Sequence, residues 1–79
     1  MKLNIISPEK TLFSGNVESV TLPGVMGSFT ILDKHAPIIS ALQKGVLSFH
    51  CTDKSKDLEL PIDGGFIESK NNIVTVCID

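Results

Sequence analysis

The chain has 79 residues, 42% hydrophobic and 20% charged, and seven lysines against nine carboxylates leave a formal charge of −2. That length predicts one domain spanning residues 1–79, and the apolar content is ample for a core, which excludes disorder. Arginine is absent and four phenylalanines are the only aromatics, so the guanidinium forks and stacking platforms of nucleic-acid recognition are missing.

Met1-Lys2 runs straight into LNIIS without the charged-then-apolar pattern and small-residue cleavage site of a leader, so none is expected. The longest apolar run is a few residues, far short of the ~20 that a membrane span needs; no direct lipid insertion is expected. A domain this small buries only ~60–65% of the surface of its unfolded chain, so it must use its core fully or lean on a partner.

In chain order, Leu3, Ile5 and Ile6 form a first strand, stopped by Ser7-Pro8. Leu12-Phe13 are apolar, and Ser14, Gly15 and Asn16 read as a turn. Residues 17–22, VESVTL, are rich in β-branched side chains and end at the turn dipeptide Pro23-Gly24. Gly27 is a position for positive φ or close approach. Phe29 and Ile31 alternate with Ser28 and Thr30 as a half-buried strand. Asp33, Lys34 and His35 break it, and Ala36 is held extended by Pro37. Ile38, Ile39 and Leu42 then form a compact apolar group, and residues 40–44 have room for one helical turn.

Gly45 opens a strand in which Leu47, Phe49 and Cys51 share one face and Val46, Ser48 and His50 the other. The loop TDKSKD follows, and Leu58, Leu60 and Ile62 return as the second arm of a hairpin. Pro61 donates no ladder hydrogen bond, which places it at an edge or bulge. Gly64-Gly65 marks a kink or close approach. Residues 66–69 form another strand, Lys70, Asn71 and Asn72 a tight turn, and residues 73–78 a nearly all-apolar closing strand. Six to eight short strands with no long helix predict an all-β sandwich or small barrel.

Reactive constellations are scarce. His50 reads as an exposed strand residue, and His35 as a ring that bonds local backbone and fixes a corner. The glycines at 24 and 27 lack the Lys-Ser/Thr and the helix of a phosphate loop. Asp63 and Glu68 read as solvated charges. Cys51 and Cys77 are expected to be buried, reduced thiols, since a zinc site wants two further close ligands. No catalytic residue, cofactor, metal or small-molecule ligand is expected. Lys54, at the tip of a hairpin, has the placement of a modified lysine in a lipoyl-carrier domain, but its loop is long and charged for that turn.

Taken together, SPE at 7–9, LFSG at 12–15, LPG at 22–24, GSFTIL at 27–32, HAP at 35–37, Leu-x-x-Gly at 42–45, GGF-x-E at 64–68 and N-x-V-T-V at 72–76 stand in a specific order. The ordered set resembles the N-terminal domain of the epsilon subunit of F-type ATP synthases, over essentially the whole chain. The resemblance implies a flattened β-sandwich of about ten short strands in two sheets. It also implies a non-catalytic rotor subunit of the central stalk, on the cytoplasmic face of the bacterial inner membrane as a peripheral component. Such a subunit links the γ subunit to the c ring and couples proton transport to ATP synthesis.

On this chain the ring-contacting positions implied are Gly24, Val25, Met26, Gly27, Ser28 and Phe29, with Asp33 and His35 near them. Ile38, Ile39 and Leu42 are assigned to the γ-facing surface. Some relatives carry an acid where this chain has Ser28, so this loop is expected to rely on backbone contacts and on Asp33 in place of a charge at that position. Most family members also continue into a pair of C-terminal helices that can block ATP hydrolysis. Those helices lie outside these 79 residues, so a chain stopping at Asp79 is expected to couple without self-inhibition by that route.

Overall fold

The computed structural model describes residues 1–53 and 57–79. They form eight strands: β1 (Lys2–Ile6), β2 (Thr11–Gly24), β3 (Gly27–Leu32), β4 (Ile38–Leu42), β5 (Gly45–Cys51), β6 (Asp57–Ile62), β7 (Gly65–Lys70) and β8 (Ile73–Ile78). The all-β sandwich expected from turn spacing is what the chain adopts, and no helix occurs among the described residues. The described residues form eight strands rather than about ten; counting the two halves of the 14-residue β2 separately gives nine.

Residues 11–16 of β2 pair antiparallel with β1, while residues 17–24 pair with β5 on one side and β3 on the other. One layer therefore runs from the first half of β2 through β1, β8 and β7 to β4; the other runs β3, second half of β2, β5, β6. The layers rejoin where Gly24 pairs with Leu42, which flattens a barrel into a sandwich.

The sequence of β2 explains the bend. Phe13, Gly15 and Val17 face inward with the two-residue period of a strand. The next inward residues are Val20 and Leu22, three and five positions on. The register slips between Val17 and Ser19 against β5. An extra residue of this kind turns the strand and restores its inward phase on the other side. Ser14, Gly15 and Asn16, read as a turn from their composition, are thus part of a strand: pairing with β1 overrides a local preference.

Between the layers lie Leu3, Ile5, Val17, Val20, Leu22, Ile31, Leu47, Ile67, Val74 and Val76, all fully buried. Phe13 and Phe49 span the gap, with ring centroids 4.4 Å apart. Truncating one large member of such a core to alanine costs ~2–5 kcal/mol. A domain of this size has on the order of 4–12 kcal/mol in total. Little of this core is dispensable.

The β5–β6 hairpin forms as expected, with Pro61 on the outermost strand opposite Val46. Lys54 lies outside the described residues. Residues 40–42 belong to β4 rather than to a helical turn, because Ile38 through Leu42 pair with β7. Asn71 and Asn72 both take positive φ, as a type I′ hairpin turn requires.

Gly65 has φ +144°, and a Cβ there would drive into the carbonyl oxygen of Cys77 on the neighbouring strand. Gly27 has φ +123° but open space where a Cβ would go. The two glycines separate packing from backbone strain. Gly65→Ala is expected to cost about 3 kcal/mol or more, or to prevent folding, whereas Gly27→Ala should cost about 1–2 kcal/mol. Urea unfolding of both variants checks this, and an equal or reversed order would refute the close-approach account.

Candidate protein-contact surface

Sequence order had put the turn at Pro23-Gly24. Both of those residues are instead paired with β3, Pro23 opposite Ser28 and Gly24 opposite Gly27. The two-residue turn is formed by Val25 and Met26. Gly24 is a glycine for packing: a Cβ would come 2.7 Å from the Phe29 ring and 2.8 Å from the Gly27 carbonyl oxygen. The tip is also tied to the other layer. The Val25 N–H donates to the Ala41 carbonyl (3.1 Å), and the Gln43 N–H donates to the Pro23 carbonyl (2.8 Å). Met26 is 97% exposed and Val25 52%. Gly24, Val25, Met26, Gly27, Ser28 and Phe29 therefore stand together at one end of the sandwich.

Asp33 and His35 do not join them. They lie past the far end of β3, a six-residue strand whose length is about 20 Å. Asp33 accepts a hydrogen bond from the Met1 ammonium (2.8 Å) and another from Asn72 Nδ2 (3.0 Å). Asn72 Oδ1 in turn accepts from the Lys34 N–H (2.7 Å), with Lys34 at φ +64°. His35 Nδ1 stands 2.6 Å from the Ala36 carbonyl oxygen, the local backbone bond anticipated for it. Neighbours in the sequence are separated here because the intervening chain is extended. This end is a knot joining the β3–β4 connection, the β7–β8 turn and the start of β1.

Ile38, Ile39 and Leu42 also divide. They lie on β4, where successive side chains face opposite ways. Leu42 is 5% exposed and belongs to the core, Ile38 is half-buried against it, and Ile39 is 74% exposed. The outer face of this layer carries a row the sequence reading did not single out: Ala41 lies opposite Phe66, Phe66 opposite Cys77, and Cys77 opposite Ile6. Phe66 is half exposed. The signal was there in β7, since placing Ile67 inward obliges Phe66 to point out. Pro8 and Ile78 border a shallow depression beside this row. Cys77 is accordingly half-buried on the outside, not in the core like Cys51, and both thiols are free.

On the other outer face, His50 is held between carboxylates, with Nδ1 2.8 Å from Asp57 Oδ1 and Nε2 3.8 Å from Glu18 Oε2. This fastens β5 to β6 and to β2. Among the described residues no three His, Cys, Asp or Glu side chains are grouped to hold a metal ion. No helix of the structure is long and apolar enough to cross a membrane.

The fold and this surface define a two-layer β-sandwich module with an apolar tip and an apolar row on the outside. A family model described as the ATP synthase delta/epsilon chain β-sandwich domain matches residues 1–79. The chain belongs to that family. It is 42% identical over 79 residues to the ATP synthase epsilon chain of Leptospira borgpetersenii, covering 61% of that relative. It is 45% identical over 71 residues to the ATP synthase epsilon chain of Chlorobium limicola, covering 90% of this chain and 80% of the relative. The chain thus spans about three fifths of the Leptospira protein.

Among solved structures, it superposes on the central stalk/c-ring structure of the Tetrahymena thermophila mitochondrial ATP synthase with a TM-score of 0.82. The sequence identity there is 20%, over 99% of this chain and 62% of that one. It also superposes on a chain of the Euglena gracilis mitochondrial ATP synthase OSCP/F1/c-ring structure with a TM-score of 0.86. That match has 19% identity over 96% of this chain and 48% of the other. At those identities the superpositions establish the shared fold.

The knot at Asp33 has a consequence for stability. Hydrogen bonds from the Met1 ammonium and from Asn72, in that order of size, hold the Asp33 carboxyl below its ordinary value of 3.8, assisted by the charges of the ammonium and Lys34. A carboxylate depressed in the folded state stabilises above its unfolded pKa, and that contribution is lost as pH falls through the folded value. The wild-type chain should therefore lose stability below about pH 4 more steeply than Asp33→Asn. Parallel slopes in urea titrations between about pH 5 and pH 2 would remove Asp33 from that role.

Proposed function

We propose that the chain serves as the β-sandwich of an epsilon subunit in the central stalk of a rotary ATP synthase, bridging the γ subunit and the membrane c ring. It works as a coupling part without chemistry of its own, turning with the rotor while ion flow through the membrane sector drives ATP synthesis. Its place is peripheral, on the cytoplasmic face of a bacterial inner membrane, held there by partners rather than by lipid. The observation that carries this reading is the family match over every residue of the chain. Relatives named epsilon chain at about 40% identity support it.

Physical features of the surface agree with the role. A stalk element must be stiff, and the tip at Val25 and Met26 has its base bonded to both layers. It must also be gripped from more than one side. The tip is the part assigned to the ring, through backbone and apolar contact at Gly24, Val25, Met26, Gly27, Ser28 and Phe29. The γ subunit is assigned to the outer face at Ile39 and its neighbour Phe66. An apolar patch bordered by polar side chains such as Glu68 and Lys70 has the usual anatomy of a protein contact. Ile38 and Leu42 support that face from beneath.

The test is co-purification. A tagged copy of the chain, expressed in its host, is recovered from gently solubilised membranes and its companions are identified by mass spectrometry. The γ subunit and the ring subunit are expected in constant proportion to it. Recovery of the chain with neither would overturn the assignment.

A further inference from the structure

A strand at the rim of a sheet leaves half of its backbone groups without ladder partners, and native proteins blunt such rims with proline, charge or cover. β6 is blunted in this way, carrying Asp57, Glu59 and Pro61. β4, at the rim of the other layer, is not. Its five residues, IISAL, bear no charge and no proline, and the outward side chain of Ile39 is 74% exposed.

The direction of the backbone groups along β4 follows from one bond at its end. The Ala41 carbonyl accepts from the Val25 N–H (3.1 Å), so Ala41 turns its backbone away from β7. Alternate residues of an antiparallel strand point their N–H and C=O the same way. Ser40 therefore holds the ladder to β7, while Ile39 turns both of its groups to the open side with Ala41. β2 pairs with that flank only at Leu42. Among the described residues nothing accepts from the Ile39 N–H or the Ala41 N–H, and nothing donates to the Ile39 carbonyl. A depression lies against the same stretch, lined by Pro37, Ile38 and Ile39 on one side and Glu68, Ser69 and Lys70 on the other. An open edge beside a groove is the combination that strand addition uses: main-chain bonds supply the hold, and pockets take alternate side chains.

Building on the assignment of the γ subunit to this face, we propose that γ engages β4 edge-on, an extended segment of it joining the sheet as a further strand. The Ile39 N–H and C=O exchange hydrogen bonds with one residue of that segment, the Ala41 N–H donates to another, and one side chain enters the depression. The end of β2, already bonded to the Ala41 carbonyl, stops the added strand there and keeps it short. Strand pairing asks of the partner only peptide groups in extended form, so the hold does not depend on a matched side chain at every position.

Amide hydrogen exchange, read residue by residue on the free chain and on its purified complex with γ, tests the pairing. In the free chain the Ile39 and Ala41 amides are expected to exchange at least about tenfold faster than that of Ser40, and in the complex to slow by about a hundredfold or more. Ile39→Pro removes one donor that the β7 ladder does not use. It should weaken γ binding by about tenfold or more with circular dichroism unchanged, whereas Ile39→Val should alter it by less than about threefold. Ile39 and Ala41 amides that exchange as fast in the complex as in the free chain would overturn the proposal in favour of face-on contact through Ile39 and Phe66. So would full γ affinity in a folded Ile39→Pro chain, or protection of both amides by self-association of the free chain. Should Ile39→Pro not fold, exchange in the wild-type chain decides alone. Failure of the chain to bind γ at all is the separate result that removes the stalk assignment, and this contact with it.

Discussion

One strand belonging to two sheets is the constraint on which this molecule is built. Because β2 carries the chain from one layer into the other, the layers cannot slide apart or choose their relative angle freely. The slipped register at Val17 and Ser19 sets where the crossing occurs. It also sets which side chains face inward on either side of it. A uniform two-residue alternation through that point would send Val20 and Leu22 outward and leave the second layer without its central apolar pair. The second join, at Gly24 and Leu42, is a consequence: once β2 has crossed, its far end is delivered to the edge of β4, and the turn beyond it is pinned.

The surface follows from the same alternation. Every strand that gives one face to the interior gives the other to the outside, and in a domain this small the outside is a large share of the whole. What distinguishes the outer faces is what stands on them. The layer of β3, β2, β5 and β6 carries His50 between Glu18 and Asp57, with Val46 and Leu32 also exposed on it. The β4–β7–β8–β1 side carries Ile39, Phe66 and Ile6. The turn carries Met26.

Much of the architecture was legible in the residues alone. Alternation identified β5, β6 and the inward face of β3, and the paired asparagines and paired glycines marked a turn and a close approach. The failures have common causes. Ser14, Gly15 and Asn16 look like a turn, and Pro23-Gly24 like another, but both stretches gain backbone partners far away in the chain. The contact positions were less legible. Leu42 looks like its neighbour Ile39 in a list of apolar residues, and only the parity of β4 separates a core side chain from an exposed one. Asp33 looks adjacent to Ser28, but an extended strand turns a few residues into the length of the domain. Phe66 was not singled out, because only the parity of β7, with Ile67 inside, puts that aromatic on the outer face.

The parallel pairing of β1 with β8, Lys2 opposite Ile73 and Ile6 opposite Cys77, bears on how the body comes into being. Leu3 and Ile5 are covered only when residues more than seventy positions later arrive beside them. During synthesis the first strand has β2 on one flank and an open row of hydrogen-bonding groups on the other. That open edge persists until β8 has left the ribosome. Contacts so distant along the chain make for slow, late closure, and an unpaired edge in the interval is open to other nascent chains. Prompt capture by a chaperone or a waiting neighbour would matter most in the interval before β8 arrives.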